Sequence, residues 1–151
     1  MSRNILTGLF VLFAMAAPSN AIETIPQGWK FLALREETAP QSSVRRDGDA
    51  FGLVITGNGD AVCDGKWVKQ VALPKGQHLS FSTRARARGI DMMSRNVIAA
   101  LVWLDESGKE VATAEFADTT APPDAQGWRR VSEIYSVPPK AKQARLELRL
   151  R

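Results

Sequence analysis

Three arginines at alternate positions are the residues of this sequence whose types and spacing most directly suggest binding chemistry. Arg84, Arg86 and Arg88 recur at every second position. On a β-strand this spacing places the three side chains on one face, about 7 Å apart, as a line of positive potential. Guanidinium groups bind carboxylate and sulfate through paired hydrogen bonds, so the line is a candidate site for an acidic sugar. The alternative is a solvated face whose arginine stems cover a sheet edge.

The four tryptophans are the second set of candidates, because an aromatic ring stacks on the apolar face of a pyranose ring. Trp67 comes directly after a short loop and is the best candidate for stacking, with core packing as the alternative. Trp103 lies in a doubly apolar segment, where packing is favoured, and is a second candidate. Trp29 and Trp128 stand at predicted strand starts and are expected in the core.

Catalytic arrangements are not evident in the sequence. Cys63 and His78 are 15 residues apart on different predicted strands, and nothing in this spacing requires a nucleophile and base pair. The sequence has no HExxH motif and no phosphate-binding glycine loop before a helix. We therefore predict that the chain is not an enzyme and has no cofactor, with Asp47 and Asp49 as weak candidate ligands for a structural calcium ion.

Length and composition agree with a single small domain. The chain has 151 residues, 44% of them hydrophobic, with a formal net charge of +4. A (β/α)₈ barrel needs about 250 residues, so this architecture is excluded. One Cys and one His exclude both an internal disulfide and a four-ligand Cys/His zinc site. A binding or structural module is favoured over an enzyme.

The N-terminus has the features of a secretory signal peptide. A short basic start precedes an apolar run over Ile5 to Ala17, and Ser19 and Ala21 are the small residues that a signal peptidase reads. We predict cleavage after Ala21, a secreted or periplasmic protein, and no stable membrane insertion afterwards; an uncleaved anchor is the alternative. Export and a modest positive charge also argue against a nucleic-acid partner.

The remaining chain, residues 22–151, shows an alternating pattern typical of strands, with no convincing amphipathic helix. Glu36 to Asp49 is polar and is predicted as a loop, and Glu110 to Phe116 as the return strand of a hairpin. The fold expected is an all-β, antiparallel β-sandwich of the jelly-roll kind. Its predicted strands are Trp29 to Leu34, Phe51 to Thr56, Trp67 to Leu73, Leu79 to Arg88, Val97 to Leu104, Glu110 to Phe116, Trp128 to Val137 and Arg145 to Arg151.

The order of several short motifs resembles carbohydrate-binding modules of families 4, 9 and 22. The motifs are Trp67-Val68-Lys69-Gln70-Val71, Leu73-Pro74-Lys75-Gly76, Leu79-Ser80-Phe81-Ser82, Val102-Trp103-Leu104-Asp105 with Gly108-Lys109, Gly127-Trp128-Arg129-Arg130-Val131, and Val137-Pro138 before Ala144 to Leu148. The resemblance implies the galactose-binding-like jelly roll and a polysaccharide or oligosaccharide ligand. The same order of motifs also resembles the sandwich domain that precedes a carbon-nitrogen hydrolase (nitrilase-type) domain in some secreted bacterial proteins.

One family feature is not found in the sequence. Members usually close the sandwich with a final strand of the form Gly-x-Val-x-Phe/Trp-x-Asp-Val, and this chain reaches Arg151 without it. That strand often carries a calcium ligand in the family, which puts a calcium site here in doubt. Two functions follow as expectations: a secreted, non-catalytic carbohydrate-binding module serving a larger hydrolase, or a structural domain without sugar affinity that positions a downstream catalytic domain.

Overall fold

The computed structural model describes residues 5–9, 25–47, 50–59, 63–73, 78–90 and 92–150. Their regular structure is almost entirely β, with one helix of four residues. The elements in chain order are β1 (Ile5–Leu9), β2 (Trp29–Ala33), β3 (Gln41–Asp47), β4 (Ala50–Thr56), β5 (Gly65–Ala72), β6 (His78–Ala85), α1 (Met93–Asn96), β7 (Val97–Leu104), β8 (Glu115–Phe116), β9 (Arg129–Ser136) and β10 (Gln143–Leu150).

The described strands form a five-stranded sheet, a three-stranded sheet and a hairpin. The five-stranded sheet has the order β2-β5-β10-β7-β8, the three-stranded sheet the order β1-β6-β9, and β3 pairs with β4. Every pairing is antiparallel except that of β1 with β6, which is parallel. The prediction of an all-β sandwich built from antiparallel sheets is therefore confirmed.

The core lies between the two sheets and is built mainly from alternate residues of β4, β6, β7 and β10, with Trp67 of β5 and Val131 and Tyr135 of β9. Trp103 of β7 meets Tyr135 of β9 edge to face, with ring centroids 6.3 Å apart, so this contact joins the sheets. Trp67 of β5 packs against Phe31 at 5.4 Å, and its indole N–H donates to the carbonyl of Val54. Burying these large rings supplies much of the apolar area that stabilises a domain of this size.

Two predicted segments differ from the structure. Residues 36–49 were expected to be a loop, yet Gln41–Asp47 is a strand paired with Ala50–Thr56. Its side chains are mostly exposed, with Val44 buried, so the segment has the polar composition of a loop. It is a strand because β4 supplies the backbone hydrogen bonds. The return strand over residues 110–116 is reduced to Glu115–Phe116 and a single bridge between Leu104 and Glu110.

The arginine-bearing strand is shorter than predicted. β6 ends at Ala85, so Arg86 and Arg88 follow the strand and only Arg84 of the three lies on it. Val97–Leu104, by contrast, has the bounds that its apolar pattern predicts. β1 falls within the segment predicted as a signal peptide, and cleavage there stays a prediction. No described helix has the length and hydropathy of a membrane span, since α1 comprises four residues.

The outer face of the five-stranded sheet carries a network of paired charges. Glu147 is 8% exposed and accepts hydrogen bonds from Lys66 and Arg145, each at 2.8 Å. Arg145 also bonds Glu110 at 2.9 Å, a second acceptor for one guanidinium. Burial alone would raise the pKa of Glu147, but the bonds from Lys66 and Arg145 outweigh it and hold this pKa below its usual value. On the same face, Arg149 is bonded to Asp64 through both carboxylate oxygens.

Candidate ligand-binding cleft

A cleft of about 780 Å³ opens between the two sheets, at the end where β4 begins and β6 ends. Its size is in the range of small-molecule binding sites, which are typically concave, mostly apolar and equipped with a few polar groups. Residues from both sheets, from β4 and from the loop before β9 line it. These residues are Trp29, Ala50, Phe51, Lys69, Phe81, Ser82, Thr83, Arg84, Pro122, Pro123, Asp124, Trp128, Arg130, Leu146 and Leu148.

Aromatic and aliphatic side chains make up much of the wall of the cleft. Phe51 of β4 is 43% exposed, a large apolar ring left in contact with solvent. Trp29 of β2 is half-buried and lies beside Lys69 in the sheet register. Leu146 and Leu148 of β10 are buried and extend the wall toward the core. The cleft thus offers ring surfaces of the kind that stack on sugars.

Lys69 brings a positive charge to the inner face of the five-stranded sheet. Side chains alternate along β5, so Lys69 faces the same side as Trp67, whose ring is buried in the core. In the register of the sheet, Lys69 lies between Trp29 of β2 and Leu146 of β10. Lys69 is half-buried, and among the described residues its side chain has no hydrogen bond or ion pair. A cation in this position is unusual, because inner faces of sandwiches are normally apolar.

Thr83 adds an unbonded hydroxyl to the wall of the cleft. It lies on the inner face of β6 opposite Val131 and is 2% exposed. Its Oγ1 has no hydrogen-bond partner in the part of the chain that the structure describes. Leaving a buried hydroxyl unsatisfied costs about 1–3 kcal/mol, so such groups call for an explanation. This Oγ1 has almost no accessible surface, so a ligand atom in the cleft would supply the missing bond only after the Thr83 side chain rotates.

Two arginines face each other at the rim of the cleft. Arg84 of β6 is directly opposite Arg130 of β9, an arrangement of like charges that is destabilising by itself. Asp124 offsets the charge of one of the two arginines, because its Oδ2 lies 2.6 Å from Nη2 of Arg84. Arg130 is exposed, and its side chain has neither hydrogen bond nor ion pair among the described residues.

The loop before β9 holds Trp128 beneath two guanidinium groups. Arg84 lies 5.2 Å and Arg86 4.6 Å from the centroid of the Trp128 ring, which is 7% exposed. Asp124 fixes the loop by accepting the N–H groups of Trp128 and Gln126, at 2.9 and 3.0 Å. The backbone N–H of Trp128 is the main cause of a lowered pKa for Asp124, with the bonds from Gln126 and Arg84 adding to it.

The predicted arginine line is thus divided by the structure. Arg84 lines the cleft, while Arg86 packs on Trp128 and donates to the carbonyl of Gln126 at 3.3 Å. Arg88 is exposed beyond the end of β6 and does not line the cleft. Arg84 and Arg86 both lie over the Trp128 ring, whereas Arg88 lies beyond the end of the strand, so the predicted line of three is not kept.

Trp67 and Trp103 need a correction as stacking candidates. Their exposed fractions are 1% and 0%, so neither ring has a face open to a ligand. Their indole N–H groups are used within the fold, Trp67 donating to the carbonyl of Val54 at 3.2 Å and Trp103 to Glu115 at 2.7 Å. Trp29 and Trp128 line the cleft. Both are also packed as the sequence predicts, since Trp128 is 7% exposed and Trp29 packs against the core.

The sequence also missed Lys69, Thr83 and Phe51 as cleft residues. The sequence contains a signal for Lys69: it stands two positions after Trp67 in a predicted strand, so the two side chains share a face, and Trp67 favours core packing on that face. Phe51 could not be placed, since its strand pairs with a segment that was predicted as a loop. An unbonded hydroxyl such as that of Thr83 becomes visible only in three dimensions.

The suggested calcium ligands gain no further support. Asp47 ends β3, and Asp49 lies outside the described residues. Within the described ranges, no group of three or more Asp, Glu, His or Cys side chains is arranged to hold a metal ion. A calcium site stays a prediction.

Comparison with known proteins shows similarity of fold alone. No protein-family model matches the sequence, and no curated protein matches it significantly. Among solved structures, the enzymatically active domain of tailspike protein 4 from bacteriophage CBA120 has a similar fold, with a TM-score of 0.61 and 14% sequence identity. The match covers 82% of this chain and 17% of the tailspike chain, so the similarity concerns a small part of that protein.

Proposed function

We propose that the protein is a non-catalytic carbohydrate-binding domain whose ligand lies in the cleft between the sheets. The observation that carries the proposal is the cleft itself, about 780 Å³ in volume and lined by aromatic rings beside polar side chains. Sugars present both apolar ring faces and hydroxyl groups, and this lining complements both. The resemblance to carbohydrate-binding modules of families 4, 9 and 22, with their galactose-binding-like jelly roll, belongs to the same proposal.

The cellular setting is proposed with it. The signal-like N-terminus favours a secreted or periplasmic protein, where polysaccharides are accessible. The motif resemblance also favours a role as an accessory domain of a larger protein, with a catalytic domain downstream such as a carbon-nitrogen hydrolase. The tailspike structure is named for an enzymatically active domain, but at 14% identity it carries no activity over to this chain.

The test is glycan binding with a matched pair of phenylalanine variants. Affinity electrophoresis and calorimetry against neutral and acidic polysaccharides should detect binding by the protein. Phe51→Ala should lower the affinity about tenfold, roughly 1.4 kcal/mol, because a stacking surface is lost. Phe116→Ala is the control, since Phe116 is 63% exposed and does not line the cleft.

The alternatives predict different results. A structural domain that only positions another domain would bind no glycan in the panel. Equal losses in the two phenylalanine variants would place the ligand outside the cleft. Hydrolysis of a glycoside or ester by the chain alone would overturn the non-catalytic assignment.

A further inference from the structure

We propose that the cleft selects an anionic saccharide, carrying carboxylate or sulfate, and that Lys69 is the residue that binds its charge. The inference rests on the proposed function and adds the chemical class of the ligand and a specificity residue. It assigns the charge recognition to the inner face of the five-stranded sheet rather than to the arginines that follow β6.

Lys69 carries its charge at a position without a protein partner for its side chain among the described residues. Lys69 is half-buried as a residue, and a charge that loses part of its hydration is normally offset by an anion or by hydrogen-bond acceptors. On the opposite face of the same strand, Lys66 has such a partner in Glu147 at 2.8 Å. Lys69 has none among the described residues, although it projects from the middle of an eight-residue strand. An anion entering the cleft would supply it.

The net charge of the lining also favours an anionic ligand. The cleft residues include three cations, Lys69, Arg84 and Arg130, and one carboxylate, that of Asp124, giving a net charge of +2. Arg84 and Arg130 alternate with the inward-facing Thr83 and Val131 and therefore lie at the rim of the cleft, where Asp124 engages Arg84. Lys69 is the cation on the inner face. A concave site of one sign attracts ligands of the opposite sign and raises their association rate. A neutral sugar would gain nothing from this charge.

The buried hydroxyl of Thr83 is a further feature of the cleft, and it is independent of charge. Thr83 lines the cleft, and its unbonded Oγ1 has almost no accessible surface, so a ligand atom reaches it only when the side chain rotates. A hydroxyl both donates and accepts, so it pairs with sugar hydroxyls as readily as with carboxylate oxygens. Together with the aromatic wall, it makes a saccharide a better fit than a small inorganic anion.

The experiment compares tetrasaccharides of equal length by calorimetry with the protein. Tetragalacturonate tests carboxylate, a sulfated carrageenan tetrasaccharide tests sulfate, and xylotetraose is the neutral reference. We expect at least one anionic ligand to bind about tenfold more tightly than the neutral one, with affinity falling as ionic strength rises from about 50 to 500 mM. Lys69→Gln should remove this preference, and Lys69→Arg should keep most of it.

The controls separate a specific site from general attraction. Lys140→Gln removes one positive charge from an exposed position outside the cleft and should leave affinity unchanged. Equal losses in Lys69→Gln and Lys140→Gln would overturn the assignment of Lys69. Equal binding of neutral and anionic tetrasaccharides would overturn the inference while leaving the proposed function intact. Absence of binding to all three, and to the polysaccharide panel, would overturn both. A thermal melt of each variant confirms that it is folded.

Discussion

The two faces of the five-stranded sheet differ in whether their charged side chains are paired. Lys66 and Lys69 are three residues apart on β5 and project to opposite sides. Lys66 lies on the outer face, where Glu147 is bonded to both Lys66 and Arg145. Lys69 lies on the inner face, in a cleft where no described residue pairs with it. The contrast indicates that the outer charges stabilise the fold, whereas the inner charge is available for a ligand.

The largest stability effect is expected on the paired face. Glu147→Gln removes the carboxylate bonded to both Lys66 and Arg145, and the free energy of unfolding should fall by about 1–3 kcal/mol. Chemical denaturation at neutral pH measures it. Glu106→Gln is the control, because Glu106 is an exposed carboxylate without a side-chain partner among the described residues. Equal effects of the two changes would mean that the network contributes nothing specific.

The same variant has a predicted pH signature. Because folding lowers the pKa of Glu147 below its usual value of 4.5, its contribution to stability is fully present above pH 4.5 and is lost as the pH falls through the lower folded pKa. The difference in stability between the protein and Glu147→Gln should therefore shrink as the pH is lowered below about 4.5. A difference that stays constant down to pH 3 would contradict the lowered pKa.

On the cleft face, we expect a substitution to leave the free energy of unfolding unchanged or to raise it slightly. Lys69→Met keeps much of the side-chain volume and removes a half-buried charge without a partner, so the free energy of unfolding should stay constant or rise by up to about 1 kcal/mol. Chemical denaturation without ligand measures it. A loss as large as that of Glu147→Gln would show that Lys69 stabilises the fold, and the contrast between the two faces would fail.

Strand positions were largely accessible from the sequence because alternation follows directly from side-chain direction in a strand. Val97–Leu104 is found as its apolar run predicts. The strand Gln41–Asp47 was missed because its polar side chains are exposed, and its pairing with Ala50–Thr56 is a non-local interaction. Propensity in strands depends on neighbours of this kind, which composition does not record.

The site was less accessible than the fold. Trp67 follows a loop in the sequence, but the sheet carries it into the core with its indole N–H bonded to Val54. Arg86 looked like part of a charged strand face, whereas the structure packs it on Trp128. Trp67 and Arg86 are both residue types suited to ligand binding, but in the fold both side chains pack against other parts of the protein. Lys69 shows the reverse, an unremarkable surface-type residue that the strand alternation places inside.

Backbone NMR with an anionic tetrasaccharide tests the central claim most directly. Titrating the ¹⁵N-labelled protein with tetragalacturonate, or with the sulfated tetrasaccharide if that binds more tightly, shows which amides sense the ligand. The account predicts that shifts cluster around Lys69, Thr83 and Arg130 and stay small at Lys66 and Arg145 on the outer face. Shifts centred on the outer face, with the cleft unaffected, would contradict it.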